Sequence, residues 1–326
     1  MISIIIPSRN TKDLLLGCLA AIDDNPPDYD YEIIITDNDS SDGSVQAIYE
    51  KHPQVTVLQS QKNLGFSRAC NMGAGKAAGG FLLFLNSDTL VLPKSIDLLA
   101  SALEASPNAG IVAPRLLDRN GNDDQSVVSY IRSPIAVLFS AARKRAKARL
   151  AKLMADGDDI SGQAYFCGAA IMVRRDAFEA IGGFDESFFF YSEDEDLCRR
   201  LANIGWRLLL VPEARIIHLS GLSSKLVRIG AEIEVERSRL LYIRKHYGFA
   251  YAALTGLGLF LGRIRRTLSN TLGVVLTIGL NRRLRIGTVE SAAVCLWFLC
   301  GMPTGNTWCY RTVFCDWQTR RKPLLD

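Results

Sequence analysis

The opening of the chain restricts the fold more than any other feature. Ile2 to Ile6 is an apolar strand, and a strand apolar on both faces must be covered on both. A helical stretch follows to Ile22, then a strand from Glu32 to Thr36, a helix from Ser44 to Lys51 and a strand from Val55 to Leu58. A helix from about Ser67 to Ala78 and a strand from Phe81 to Leu85 continue the alternation. Over the first 115 residues this predicts an α/β fold with a buried, mostly parallel sheet flanked by helices.

In such sheets ligands bind beyond the carboxyl ends of the strands. Polar residues stand at three of those ends: Ser8 and Arg9, Asp37 to Asp39, and Asn86-Ser87-Asp88. Each alone is an ordinary turn former, and three at one edge predict a pocket. No GxGxxG follows the first strand and no GxxxxGK[ST] occurs anywhere, so a dinucleotide or P-loop phosphate cradle is missing. A divalent metal on Asp88, Mg2+ or Mn2+, would bridge diphosphate oxygens instead.

From Phe184 to His218 the chain gathers Asp185, Glu186, Glu193, Asp194, Glu195 and Asp196 around the aromatic run Phe188 to Tyr191, then supplies a histidine. Carboxylates at the edge of an apolar core repel one another, so a metal, a proton or a substrate hydroxyl is expected among them. The plainer explanation is a helix N-terminus: Leu197, Leu201 and Ile204 predict one apolar helix face, and the acids then occupy the first turn, where the helix dipole favours anions.

The net charge of +4 is unevenly spread. Residues 226–326 carry 15 Lys and Arg against 6 Asp and Glu, and the first 225 residues carry 23 against 28. A basic, apolar C-terminal third fits an anionic membrane surface better than nucleic acid, because its basic segments flank apolar runs and lack interleaved aromatics. Those runs, Phe249 to Leu261, Leu272 to Leu280 and Ala292 to Met302, are 13, 9 and 11 residues long. A spanning helix needs about 20. Helices lying in the membrane interface are expected, with the core of a small helical bundle as the alternative; Arg143 to Arg149 is a further basic helical stretch. Eight cysteines without CxxC spacing, and a strand directly after Met1, predict reduced thiols and a cytoplasmic protein.

Read together, several segments resemble the family 2 inverting glycosyltransferases of GT-A fold, rhamnosyltransferase-like branch. They are Ser3-Ile4-Ile5-Ile6-Pro7, Asp37-Asn38-Asp39-Ser40-Ser41-Asp42-Gly43-Ser44, Asn63-Leu64-Gly65-Phe66 with Asn71, and Asn86-Ser87-Asp88. Cys167-Gly168-Ala169-Ala170, Gly182 to Glu186, Glu193 to Arg200, and Pro212-Glu213-Ala214 leading to His218 complete the set. The resemblance covers about residues 1 to 248. It implies a GT-A catalytic domain over 1–225, with a nucleotide-sugar half to about 115 and an acceptor half beyond it, and a basic, apolar helical region over 226–326. It also implies donor contacts from Ser8, Arg9, Asp37, Asp39, Asn63, Asn71, Asn86 and Ser87, and a metal on Asp88 and His218. Asp194 would be the general base with Glu193 beside it, and Cys167, Gly168, Ala169 and Asp196 would line the sugars. The family usually writes Asp-x-Asp where this chain has Asn86-Ser87-Asp88, which lowers the local negative charge. The activity implied is transfer of L-rhamnose from dTDP-L-rhamnose to a glycan or lipid-diphosphate-linked acceptor, peripherally at the inner face of the membrane. Galactofuranose or a hexose as donor sugar, and a non-catalytic adaptor, are the alternatives.

Overall fold

The computed structural model of the chain describes residues 1–124, 126–129, 159–219, 228–277 and 280–302. These fall into two units, one up to residue 219 and one from 228 onward.

The first unit opens with β1 (Ile2–Ser8), α1 (Lys12–Asp24), β2 (Tyr31–Asn38), α2 (Ser44–Lys51), β3 (Thr56–Ser60), α3 (Phe66–Ala74) and β4 (Phe81–Leu85), in the predicted alternation. β1 pairs in parallel with β2 and β4, and β2 with β3. Successive strand side chains face opposite ways. Ile2, Ile4 and Ile6 therefore join one core cluster and Ile5 the other, all four without solvent exposure.

The rest of this unit is β5 (Thr89–Val91), α4 (Ser95–Ala105), β6 (Ala109–Leu117), β7 (Val127–Ser129), β8 (Ala164–Phe166), β9 (Ala170–Arg174), α5 (Arg175–Ala180), α6 (Glu193–Asn203) and β10 (Arg207–His218). The main sheet runs β3-β2-β1-β4-β9-β6-β10-β5, and β7 pairs with β8 apart from it. β9 lies antiparallel to both β4 and β6, and β5 antiparallel to β10, while β6 and β10 are parallel. β10 slips its register against β6 between Val211 and Arg215, around Pro212, which has no N–H to give the ladder. Beyond the slip the strand runs on to set His218 opposite Thr89. Leu197 and Leu201 of α6 are buried as predicted, whereas Ile204 caps the helix and is exposed, because the helical period stops at Asn203.

Gly65 heads α3 with φ 83° and ψ 179°, a conformation essentially restricted to glycine. A Cβ there would stand 2.5 Å from the Phe189 carbonyl oxygen. Gly65→Ala is expected to lower unfolding free energy by about 1–3 kcal/mol, read from the urea midpoint; an unchanged midpoint would remove the close approach as a constraint.

The second unit contains α7 (Arg228–Tyr247), α8 (Phe249–Leu276) and α9 (Arg282–Leu299). Ile233, Ala293, Val294 and Trp297 form its core, with Leu240 and Phe298 against it. Arg263 of α8 is held between Glu232 and Glu236 of α7, at 2.8 and 2.7 Å. The run at 249–261 and the start of the run at 272–280 share one 28-residue helix that ends at Leu276. Arginine is a strong helix former, so Arg263, Arg265 and Arg266 carry the helix across the polar interval between the runs. No described helix is long and apolar enough to cross a membrane. The basic stretch 143–149 lies outside the described residues, as do Cys309 and Cys315.

Candidate active site

Three loops at the carboxyl ends of β1, β2 and β4 are bound to one another by hydroxyls and carboxylates. The hydroxyls of Ser8 and Thr11 are 2.9 Å apart, and those of Thr11 and Ser87 also 2.9 Å, so buried hydrogen bonds join the end of β1 to the end of β4. The Lys12 N–H donates to Asp42 at 2.8 Å and the Asn10 N–H to the Ser40 hydroxyl at 2.9 Å, closing the β1 loop on the β2 loop. Thr11 is a site residue that sequence reasoning passed over.

Asp37 is 4% exposed at the end of β2. One carboxylate oxygen accepts from the Ser40 N–H at 3.2 Å, and the other, Oδ1, is buried with no hydrogen-bond partner among the described residues. A buried acceptor left open in this way suits an N–H from outside. Asn38 next to it donates to the Gly65 carbonyl at 3.0 Å and accepts from the Leu64 N–H at 2.7 Å, fixing the loop that carries Asn63. Arg9 and Asp39 are exposed on the surrounding loops.

The segment after β4 is tied down at both ends. The Asn86 N–H donates to the Ala169 carbonyl at 2.9 Å, and the Leu219 N–H to the Asp88 carbonyl at 2.9 Å. The second bond draws the end of β10 to Asp88, and His218 Nε2 lies 3.4 Å from Asp88 Oδ1. On the other side of the imidazole, Nδ1 is 3.7 Å from Asp124. The carboxylate–imidazole–carboxylate row was only two-thirds anticipated, since Asp124 was not singled out.

Asp194 stands in the first turn of α6 and is partly buried. Its Oδ2 accepts from the Gly168 N–H at 2.9 Å, and its Oδ1 from the Glu195 N–H at 2.8 Å. Burial raises its pKa above the ordinary carboxylate value, against the lowering effect of those backbone donors. Tyr191 and Ser192, leading into the helix, both adopt left-handed backbone angles, with φ 70° and 63°. Such angles are costly away from glycine and cluster at functional sites. A Cβ on Gly168 would come within 3.2 Å of the Asp194 side chain, so the small residue permits the close approach.

Cys167 has its thiol pKa pushed up to about 12, by burial first and then by the negative charge of Asp194, with a smaller effect of Asp124. A neutral thiol is no nucleophile at physiological pH. Adjacent residues tie the two groups to one rim: the Gly168 N–H donates to Asp194, and the Ala169 carbonyl accepts from the Asn86 N–H two residues before Asp88. Ala169 and Glu193 are buried beside this rim. Asp196 is fully buried against the Arg200 guanidinium at 2.6 Å, and the Asn71 amide exchanges two 2.9 Å hydrogen bonds with the Phe184 main chain. Both are thus engaged in holding the loops around α6.

A divalent cation fits Asp88 and His218 by chemistry: a hard carboxylate and a neutral imidazole are both ligands for Mn2+, and the carboxylate suits Mg2+. Among the described residues no group of three or more His, Cys, Asp or Glu side chains is arranged to hold a metal. With only these two protein ligands, a bound cation would take its remaining ligands from water and phosphate oxygens.

Comparison with known proteins identifies the family. Residues 3–182 match the family described as Glycosyl transferase family 2, and residues 158–221 match one described as the N-terminal domain of galactosyltransferase. The chain is 32% identical over 203 residues to an N-acetylglucosaminyl-diphospho-decaprenol L-rhamnosyltransferase of Mycobacterium tuberculosis (strain H37Rv), a match over 57% of this chain and 66% of the relative, just under two thirds of its length. It is 28% identical over 229 residues to the rhamnosyltransferase WbbL of Escherichia coli (strain K12), over 67% of this chain and 83% of WbbL. The solved mannosyltransferase PcManGT of Pyrobaculum calidifontis, in complex with GDP-Man and Mn2+, superposes with a TM-score of 0.52 over 93% of this chain and 88% of that one. At 17% identity that likeness concerns the GT-A-like fold alone.

Proposed function

Because the chain belongs to glycosyl transferase family 2, we propose that it is an inverting glycosyltransferase moving L-rhamnose from dTDP-L-rhamnose onto a lipid-diphosphate-linked glycan in bacterial cell-surface polysaccharide assembly. The observation that carries this reading is Asp194, held by the Gly168 N–H with its proton affinity raised by burial, on the same rim as Asp88 and His218. Asp194 takes the proton of the acceptor hydroxyl as its oxygen attacks the anomeric carbon. The bond from that carbon to the diphosphate oxygen breaks with inversion, and the electron pair leaves on the nucleoside diphosphate. The open Oδ1 of Asp37 accepts from the imide N–H of a pyrimidine base, and Ser8, Arg9, Asp39, Asn63, Asn86 and Ser87 border the donor. A divalent cation on Asp88 and His218 would supply positive charge to the departing diphosphate. Cys167, Gly168 and Ala169, with small side chains, leave room for the sugars. The proposed location is the inner face of the cell membrane, where such an acceptor is held.

The test is a panel of nucleotide sugars offered with metal and a polyprenyl-diphosphate-linked N-acetylglucosamine. Turnover is expected with dTDP-L-rhamnose. Turnover with a galactofuranose or hexose donor alone would move the sugar to the second reading, which the match of residues 158–221 supports. No metal-dependent transfer or hydrolysis of any donor would leave a non-catalytic adaptor.

A pH profile follows from Asp194. The base works deprotonated and its pKa is raised, so kcat/KM should fall as pH drops through a value above the ordinary carboxylate range. A profile flat down to the ordinary carboxylate range would remove Asp194 as the base.

A further inference from the structure

The α8–α9 hairpin leaves a large apolar surface uncovered. Leu254, Leu261, Leu268 and Val275, seven residues apart along α8, are each more than half exposed. Leu257, Leu272 and Leu276 are exposed as well, and near the hairpin turn Leu280 is 84% exposed. At helical spacing the α8 side chains make one stripe along most of its length. Solitary exposed leucines are common on soluble proteins, whereas a continuous stripe marks an interaction surface.

The charges around the stripe identify the partner. Arg265, Arg266, Arg282, Arg283 and Arg285 are exposed, and the one acid between Phe249 and Met302, Glu290, is buried. The exposed charge of the hairpin is therefore wholly positive. A second copy docked face to face would oppose arginine to arginine. Residues 303–326 carry Arg311, Arg320, Arg321 and Lys322 against Asp316 and Asp326, so they too are a poor electrostatic match. Arg265 falls within the apolar stripe itself. An arginine there is costly in hydrocarbon and favourable at headgroup depth, where its stem lies along apolar neighbours and its guanidinium reaches phosphate.

We propose that the exposed Leu254–Leu276 stripe and the arginines beside it dock the α8–α9 hairpin in the plane of an anionic lipid surface, within one leaflet. This deepens the lipid-linked acceptor reading and rests on separate residues. Full-length protein should sediment at low salt with vesicles of phosphatidylglycerol and phosphatidylcholine, and far less with phosphatidylcholine alone. Arg282→Ala/Arg283→Ala/Arg285→Ala should weaken that binding by about a hundredfold, from the usual contribution of a cation at an anionic surface. Leu268→Glu/Leu272→Glu should abolish it, with helical circular dichroism unchanged. Hydrolysis of nucleotide sugar should stay at the wild-type rate in both variants, so loss of vesicle binding with hydrolysis intact tests this surface, and the reverse tests the catalytic reading. The proposal is overturned if the intact chain ignores anionic vesicles at low salt, or if the leucine variant binds them as wild type does. It is overturned also if the intact chain sediments as a dimer that the leucine variant dissociates while vesicles are not bound.

Discussion

Asp194→Asn should lower the rate of glycosyl transfer by about a hundredfold or more, since loss of a positioned general base typically costs 10²–10⁴. Asparagine keeps the size of the side chain and can still accept from the Gly168 N–H through its amide oxygen. Donor affinity should therefore stay near wild type, and the loss should fall on kcat. A carboxyl whose folded pKa is raised contributes stability that is fully present below its unfolded pKa and lost as pH rises through the folded one. Asparagine does not titrate, so the urea midpoint of Asp194→Asn should lack the part of the fall with rising pH that Asp194 causes in wild type. Its overall midpoint also reflects the loss of one backbone contact, because the amide NH2 must face one of the two N–H groups that the carboxylate accepts from. A variant keeping more than a tenth of the wild-type rate would move the base elsewhere.

Asp88→Ala should lower kcat/KM by about a hundredfold or more, the usual effect of removing one preorganised electrostatic contact to developing charge. The mechanism differs from that of Asp194. Asp88 would act through the cation and the diphosphate, so metal should strengthen nucleotide-sugar binding to wild type and leave binding to the variant unchanged. Titration calorimetry with and without Mn2+ separates the two cases. Equal enhancement by metal in both proteins would exclude Asp88 as the ligand. The 3.4 Å approach of His218 makes a companion test possible, because His218→Ala should reproduce a weaker form of the same loss.

Local patterns in the sequence located the elements whose residues settle their own structure. Phe81 to Leu85 and Ser44 to Lys51 are found at the predicted bounds, and β1 runs only two residues longer than read, to Ser8. What escaped the reading depends on partners distant in sequence. β9 is a short apolar strand whose antiparallel place between β4 and β6 follows from no periodicity. Asp124 becomes a site residue only because β10 pairs with β6, bringing His218 back from nearly a hundred residues away. Asp194 was legible as a member of an acidic helix start, and its contact with Gly168 was not, because that depends on the small residue allowing α6 to come close. Asn71 and Asp196 show the opposite case. Both carry the right polar chemistry, and the structure commits them to Phe184 and Arg200.

The antiparallel strand at the centre of the sheet also bears on the order of synthesis. β1 to β4 can pair as soon as they leave the ribosome, but the outer edge of β4 has no neighbour until Ala170–Arg174 is made, some 85 residues later. Through that interval Phe81-Leu82-Leu83-Phe84-Leu85 is an apolar edge with open N–H and C=O groups, the kind of segment that pairs with other chains. The nascent N-terminal half thus needs either shielding or a fast arrival of its partner. A recombinant fragment ending near residue 115 would carry the same bare edge permanently and should aggregate, so the first half of this sheet is not a separable module.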